Sequence, residues 1–193
     1  MNFLAHAFLS GDDDQILVGN FIGDFVKGNQ LESFEHRIRQ GVILHRSIDE
    51  FTDSHPTVSS SKDKLRDKYR HYSGVIVDMF YDHFLAHNWA EYHDLSLLEF
   101  TEKTYTTVWS YEPVLPGPAK RVIPHMRRGN WLLQYAHIDG IHQALSGMSR
   151  RTTFRSKMEQ ASENLRQDYD LFKADFDEFF PELRAFVKRE LDK

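Results

Sequence analysis

His45 and Asp49 stand four residues apart in a stretch where Ile38, Val42 and Ile48 recur at helical spacing. A helix stacks that imidazole and carboxylate on one apolar face. Groups of this kind turned toward a core need partners, because a buried charge or unpaired polar atom is costly. A cation is one such partner. A buried His–Asp hydrogen bond, or an ion pair between Asp49 and Arg46 at the surface, is the plainer alternative. Asp78 and Asp82 repeat the four-residue spacing, and His83 follows within the apolar set Val75, Ile76, Met79, Phe80 and Phe84. Adjacent helix positions diverge by about 100°, so Asp82 and His83 reach one ion only from the boundary between two faces. Otherwise Asp78 faces solvent and His83 is a hydrogen-bonded core histidine. Asp24 is the lone acid in the apolar stretch 19–26. A carboxylate near a helix C-terminus opposes the helix dipole, which favours an interior site for it. His6, in Asn2-Phe3-Leu4-Ala5-His6, is less specific and would also serve as an anchor for the N-terminal segment.

The chain has no cysteine, which excludes a disulfide framework and leaves only nitrogen and oxygen to hold a metal. It also lacks a Gly-x-x-x-x-Gly-Lys phosphate loop, a Gly-x-Ser-x-Gly elbow and a His-Glu-x-x-His zinc motif, so nucleotide-loop and serine-nucleophile chemistries lose ground. A mixed histidine and carboxylate set favours Mn²⁺, Fe²⁺ or Mg²⁺ over structural zinc. Such an ion activates water near neutral pH and neutralises phosphoryl charge. The residues suit metal-dependent hydrolysis.

Helices must position them. Apolar spacing of period 3.6 dominates the chain, and no alternating runs flank a hairpin turn, so the expected fold is all-α, a single-domain multi-helix bundle spanning residues 1–193. A short N-terminal helix leads to a helix over 13–26, stopped by Gly28, with Gly19 and Gly23 on one face where another helix can approach closely. Further helices are expected over 34–51, 57–70 (polar, at the surface), 75–93 (the most apolar, hence central), 97–110, 119–128, 138–148 and 154–180. Pro181 then starts a last helix over 182–191. Residues 112–124 carry four of the 6 prolines and read as a surface loop.

A length of 193 residues with 40% hydrophobic and 27% charged side chains suits one packed core. The first residues lack the basic and apolar regions of an export signal, and no apolar run approaches the roughly 20 residues that cross a bilayer. The expected location is the cytoplasm, without a membrane partner. A formal charge of −5 argues against a general nucleic-acid binder.

Four blocks in chain order carry a resemblance: Asn2-Phe3-Leu4-Ala5-His6, Gly19-Asn20 leading to Asp24-Phe25-Val26-Lys27-Gly28, His45-Arg46-Ser47-Ile48-Asp49, and Asp82-His83-Phe84-Leu85. Together they resemble the acyl carrier protein phosphodiesterases, a divergent branch of the helical HD phosphohydrolases. The resemblance implies an HD-hydrolase-like fold and manganese-dependent hydrolysis of the phosphodiester between 4'-phosphopantetheine and a serine of holo acyl carrier protein. It implies His45, Asp49, Asp82 and His83 as metal ligands, with Asp24 as a ligand or an orienting group. Arg46 would steady a phosphoryl oxygen and His6 would donate a proton to the leaving oxygen. HD enzymes carry an adjacent His-Asp pair, whereas Asp82-His83 reverses that order. An HD-type phosphohydrolase acting on a nucleotide or other small phosphoester, and a helical metal-binding protein without catalysis, are the rival readings. An acidic carrier protein needs a local basic patch on an acidic enzyme. Arg37 with Arg39, Arg127 with Arg128, and Arg150 with Arg151 are the candidates.

Overall fold

A computed structural model describes residues 1–192 of the chain. Among the described residues there are eleven α-helices, joined by turns and short 3-10 segments, and no strand. In order the helices are α1 (Phe3–Phe8), α2 (Asp14–Ile22), α3 (His36–Ser54), α4 (Pro56–Tyr69), α5 (Ser73–His87), α6 (Leu97–Ser110), α7 (Gly117–Arg128), α8 (Trp131–Gln134), α9 (Ile138–Ser149), α10 (Ala161–Gln167) and α11 (Tyr169–Leu191). The all-α expectation holds. No helix among the described residues is long and apolar enough to cross a membrane.

The helix expected to be central is central, although α2 is slightly more apolar: α5 packs against α1, α4, α9 and α11. Phe80, Tyr81 and Phe84 on α5 meet Phe172, Phe176 and Phe179 on α11, with ring centroids 5.0 to 5.7 Å apart. All six rings are fully buried, and each contributes about 2 kcal/mol of apolar burial.

Local chemistry sets the helix ends. Asp13 caps α2 by accepting from the Gln15 and Ile16 N–H groups at 3.0 and 2.9 Å. Ser96 and Glu99 form a capping box at the start of α6. Several expected boundaries move. The α2 helix stops at Ile22, and Gly23–Phe25 tightens into a 3-10 turn before Gly28 takes its left-handed φ of 54°. The α5 helix ends at His87, where Asn88 turns both its backbone and side-chain N–H onto the Phe84 carbonyl. Residues 112–124 are not a loop: Pro118 sits in the first turn of α7, where its missing N–H costs nothing, and Pro124 lies within the helix. Nor does Pro181 break the C-terminal helix. It is exposed, so water can serve the carbonyl it leaves unbonded, while Phe179, Phe180, Leu183 and Val187 hold both sides of it to the core. The expected helix over 154–180 starts late and is divided: Thr152, Ser156 and the left-handed Lys157 (φ 59°) hold residues 150–157 in a hydrogen-bonded turn, and Asp168, with non-helical dihedrals, parts α10 from α11.

Candidate metal centre and the cavity beside it

The centre begins with a contact between backbones. At the crossing of α2 and α3, Gly19 faces Gly41. A Cβ on Gly19 would lie 2.0 Å from the Ile38 carbonyl oxygen, and one on Gly41 would lie 2.3 Å from that of Ile16. Only glycine allows this approach. One turn on, the His45 ring fills the notch at Gly23, where a Cβ would sit 2.2 Å from His45 Cγ.

Asn20, fully buried on α2, orients two imidazoles. His45 Nδ1 donates to the Asn20 backbone carbonyl at 2.8 Å. The Asn20 amide nitrogen donates to the His6 carbonyl (2.8 Å) and to Ser10 Oγ (3.0 Å). That fixes its flip, so Oδ1 must accept from His6 Nδ1, also at 2.8 Å. Nδ1 of each histidine is therefore the donor, which turns each Nε2 toward Asp49 to hold either a metal ion through its lone pair or a proton. The rings stack with centroids 3.9 Å apart, and both Nε2 atoms lie 3.2 Å from oxygens of Asp49. Asp24 Oδ1 lies 3.4 Å from His45 Nε2. A lone pair facing a carboxylate repels it, and His6 Nε2 is buried without a hydrogen-bond partner. A shared cation removes both problems. His6, His45 and Asp49 each bring one ligand atom to within 4.8 Å of the others, and each histidine donates its other ring N–H to an oxygen, as metal-bound histidines do. The donor set fits a divalent ion.

Among protein groups alone, a proton would take the ion's place. Burial lowers the pKa of His45, but hydrogen bonds to Asp24 and Asp49 outweigh it and raise the pKa to about 9. Burial dominates at His6 and lowers its pKa, despite Asp49. Asp49 is half-buried, which alone would raise its carboxyl, yet the two histidines hold it well below the usual carboxylate range. The hydrogen bond to His45 likewise lowers Asp24.

The structure brings His6 to the pair read from α3 and places Asp24 at its edge, exposed on the Gly23–Phe25 turn rather than in the interior site expected of it, because the helix has already ended at Ile22. It does not bring Asp82 and His83 there. Asp82 is fully buried, and its oxygens accept the backbone N–H groups of Asn2 (3.2 Å), Leu4 (2.9 Å) and Ala5 (3.3 Å), so it anchors the N-terminus of α1. Burial pushes its carboxyl up to about 7, against the pull of the Met1 amine and these N–H groups. Asp82 thereby positions His6 rather than touching the ion's place. The His83 side chain turns elsewhere: Nδ1 donates to the Tyr135 carbonyl at 2.8 Å, and Nε2 accepts from the Tyr169 hydroxyl at 3.2 Å. Both ring nitrogens are occupied, and burial lowers its pKa to about 4. Asp78, which the plainer alternative placed at the surface, is half-buried and lies 3.0 Å from the Met1 amine. Arg46 is exposed beside His45, with no ion pair among the described residues. Sequence reasoning missed Asn20; the available signal was an amide within the apolar run of α2, which once buried must find partners.

Asp24 also lines a cavity of about 1090 Å³, together with Phe3, Phe25, Trp131, Met148, Arg121, Arg150 and Arg151. It is the only acid in that lining. Asp24 is thus shared between the centre and a large chamber that carries three arginines, while His6, His45 and Asp49 are not among its walls.

The family model described as acyl carrier protein phosphodiesterase matches residues 1–183. The chain belongs to the acyl carrier protein phosphodiesterase family. Proteins of that name from Enterobacter sp. (strain 638) and Escherichia coli O45:K1 are 30% and 31% identical to it over 191 residues, covering 98% of this chain and 99% of each relative. One from Photorhabdus laumondii is 32% identical over 182 residues, covering 94% of this chain and 92% of its own. No solved structure matches. The stretch matched by the family model contains all of α1 to α10, and with them every residue of the centre and of the cavity.

Proposed function

We propose that the protein is a metal-dependent phosphodiesterase that hydrolyses the ester between 4'-phosphopantetheine and a serine of holo acyl carrier protein, releasing apo carrier protein and 4'-phosphopantetheine. The observation that carries this reading is the convergence of two Nε2 atoms on Asp49 beside a cavity large enough for an extended arm, in a chain of this family. Manganese is the ion that the resemblance implies; two imidazoles and a carboxylate accept it, with Fe²⁺ or Mg²⁺ as alternatives. When bound, the ion would supply charge neutralisation at the phosphoryl group and a nucleophile from water at neutral pH.

The chain's own residues do the rest. His6, His45 and Asp49 hold the ion. Asp24, at the edge of the centre and among the walls of the cavity, accepts a proton from the attacking water. On this reading His6 is a ligand rather than the proton donor that the resemblance suggested, because its Nδ1 proton is committed to Asn20 and burial disfavours a second one. Arg46 is free to meet a phosphoryl oxygen at the rim. Water adds across the P–O(Ser) bond, and the serine oxygen leaves with a proton.

Mass spectrometry of holo carrier protein incubated with the enzyme tests this directly. Loss of the phosphopantetheine mass is expected with Mn²⁺ and not with chelator. Mn²⁺ binding without any hydrolysis would sink the enzymatic reading. The three arginines and Trp131 of the cavity also suit a nucleotide or another small phosphoester, and turnover of a nucleotide panel in preference to carrier protein would favour that rival.

A further inference from the structure

The structure separates the three basic pairs singled out from the sequence. Arg37 is bound to Asp13 at 2.7 Å and Arg39 to Glu32 at 2.8 Å, so both charges are neutralised within the fold. Arg127 and Arg128 line a smaller pocket of about 480 Å³ with Glu102 and Trp109, which does not include Asp24. Arg150 and Arg151 stand at the cavity that does, with Arg121 also among its walls.

Beyond them the chain continues Thr152-Thr153-Phe154-Arg155-Ser156-Lys157. Phe154 is 74% exposed, the most exposed large hydrophobic side chain among the described residues. Four cations flank it: Arg150, Arg151, Arg155 and Lys157. None of the four, nor Arg121, forms an ion pair among the described residues; Arg151 Nε donates only to the Gly147 carbonyl at 3.2 Å. Arg155 lowers the Glu159 pKa, but that carboxylate is held by Ser149 Oγ at 2.6 Å. The turn is locally braced, with Thr152 Oγ1 donating to the Phe154 carbonyl at 2.8 Å and the buried Ser156 hydroxyl to Ser149 Oγ at 2.9 Å. An exposed aromatic ring on a hydrogen-bonded turn, surrounded by unpaired cations, has the composition of a binding hot spot with little ordering cost. It belongs to a chain whose formal charge is −5. An acidic partner is repelled by most of this surface and attracted here.

We infer that residues 150–157, with Arg121 of the same cavity, are the docking surface for an acidic carrier protein, with Phe154 as the apolar anchor. This rests on the function proposed above. A carrier seated there delivers its prosthetic arm into the cavity that Asp24 also lines, so one partner accounts for both the basic residues and the chamber.

Two variants test it in the Mn²⁺-loaded full-length protein: Phe154→Ala, and Arg150→Glu combined with Arg151→Glu. All replaced side chains are exposed, so helical circular dichroism should be unchanged. The readouts are KM and kcat for holo carrier protein at low and high NaCl, and the Kd of fluorescently labelled apo carrier protein. The double reversal should raise KM and Kd by about tenfold and flatten their salt dependence, with kcat changed less than about threefold. Phe154→Ala should raise both constants by about fivefold and keep the salt dependence. Folded variants with wild-type KM and Kd overturn the docking surface while leaving the proposed function intact. A fall in kcat without a change in KM does the same, since it assigns these residues to the chemistry. If apo carrier protein binds no tighter than an oligonucleotide of equal charge, the partner is wrong. A wild-type protein that never turns over holo carrier removes the function and the docking inference together.

Discussion

Replacing Asn20 by alanine removes the amide that holds His6 in its Nδ1–H form while leaving the backbone carbonyl that serves His45. Three hydrogen bonds of 2.8, 2.8 and 3.0 Å disappear. The His6 carbonyl keeps Ser10 Oγ as a donor at 2.7 Å, so the group left stranded in the core is the His6 ring N–H. With roughly 1–3 kcal/mol for a stranded buried donor and a smaller amount for the void, the loss of stability is about 3 kcal/mol. At ~2–4 °C per kcal/mol for a chain of this size, the melting midpoint should fall by about 10 °C. The effect on the ion is separate. A histidine that loses the partner of its second nitrogen binds metal about 10–100-fold more weakly, and only one of the two imidazoles is affected. Mn²⁺ titration followed by the electron paramagnetic resonance of the free ion measures that loss, and calorimetry of metal-free protein measures the midpoint. A folded variant with unchanged Mn²⁺ affinity would refute the idea that Asn20 sets the histidine tautomer for metal binding.

Gly23→Ala places a methyl 2.2 Å from His45 Cγ and should cost at least about tenfold in Mn²⁺ affinity, whereas Gly28→Ala, at φ 54° with open space around it, should cost about 1 kcal/mol of stability and no affinity; equal affinities for both would show that the notch is irrelevant. Asp82→Asn should destabilise the fold by about 2 kcal/mol through the α1 N-terminus and weaken metal binding only indirectly, so a loss of Mn²⁺ binding with an undisturbed melting curve would return Asp82 to the ligand set. For His83, burial lowers the folded-state pKa from 6.5 to about 4. The unfolded chain therefore binds more protons in that window, and stability is full above about pH 6.5 and lost as pH falls toward 4, on the order of 3 kcal/mol. Urea midpoints at several pH values should show this slope, and His83→Gln should flatten it; a slope that survives the substitution assigns the acid sensitivity elsewhere. His45 has the opposite sign. Raised from 6.5 to about 9, it stabilises the metal-free protein fully below pH 6.5, and that contribution disappears as pH rises through about 9, so alkaline unfolding should be steeper without Mn²⁺ than with it.

Periodicity made the helices, the centrality of α5 and the His45/Asp49 pair legible, because each depends on residues within a few turns of one another. His6 and Asp24 stood out less: their partners lie on other helices, and the resemblance of short blocks, more than spacing, pointed to them. Asp82 and His83 look alike on paper, an acid and an imidazole in an apolar run. What separates them from the centre is non-local, namely the N-terminus of α1 for one and Tyr135 with Tyr169 for the other. Pro181 misled for a related reason. A proline reads as a break, yet packing on both sides of an exposed position carried the helix through it. The four-residue α8, entered from Asn130 in a left-handed conformation, is too short for any periodic signal.

The anchoring of α1 by Asp82 has a consequence for how the centre comes into being. Six residues are too few for a helix to persist in water, so the segment bearing His6 is ordered only while it is docked on α5. During synthesis the first-made ligand must wait for residue 82 before it has anything to dock on. Undocking of α1 in the finished protein would dissolve the metal site without unfolding the bundle, the kind of local opening that amide exchange detects. On the proposed function, an ion shared between His6 and the α3 ligands would act as a latch on that opening. By mass action it would slow exchange in α1 and leave the core of α5 and α11 as it was.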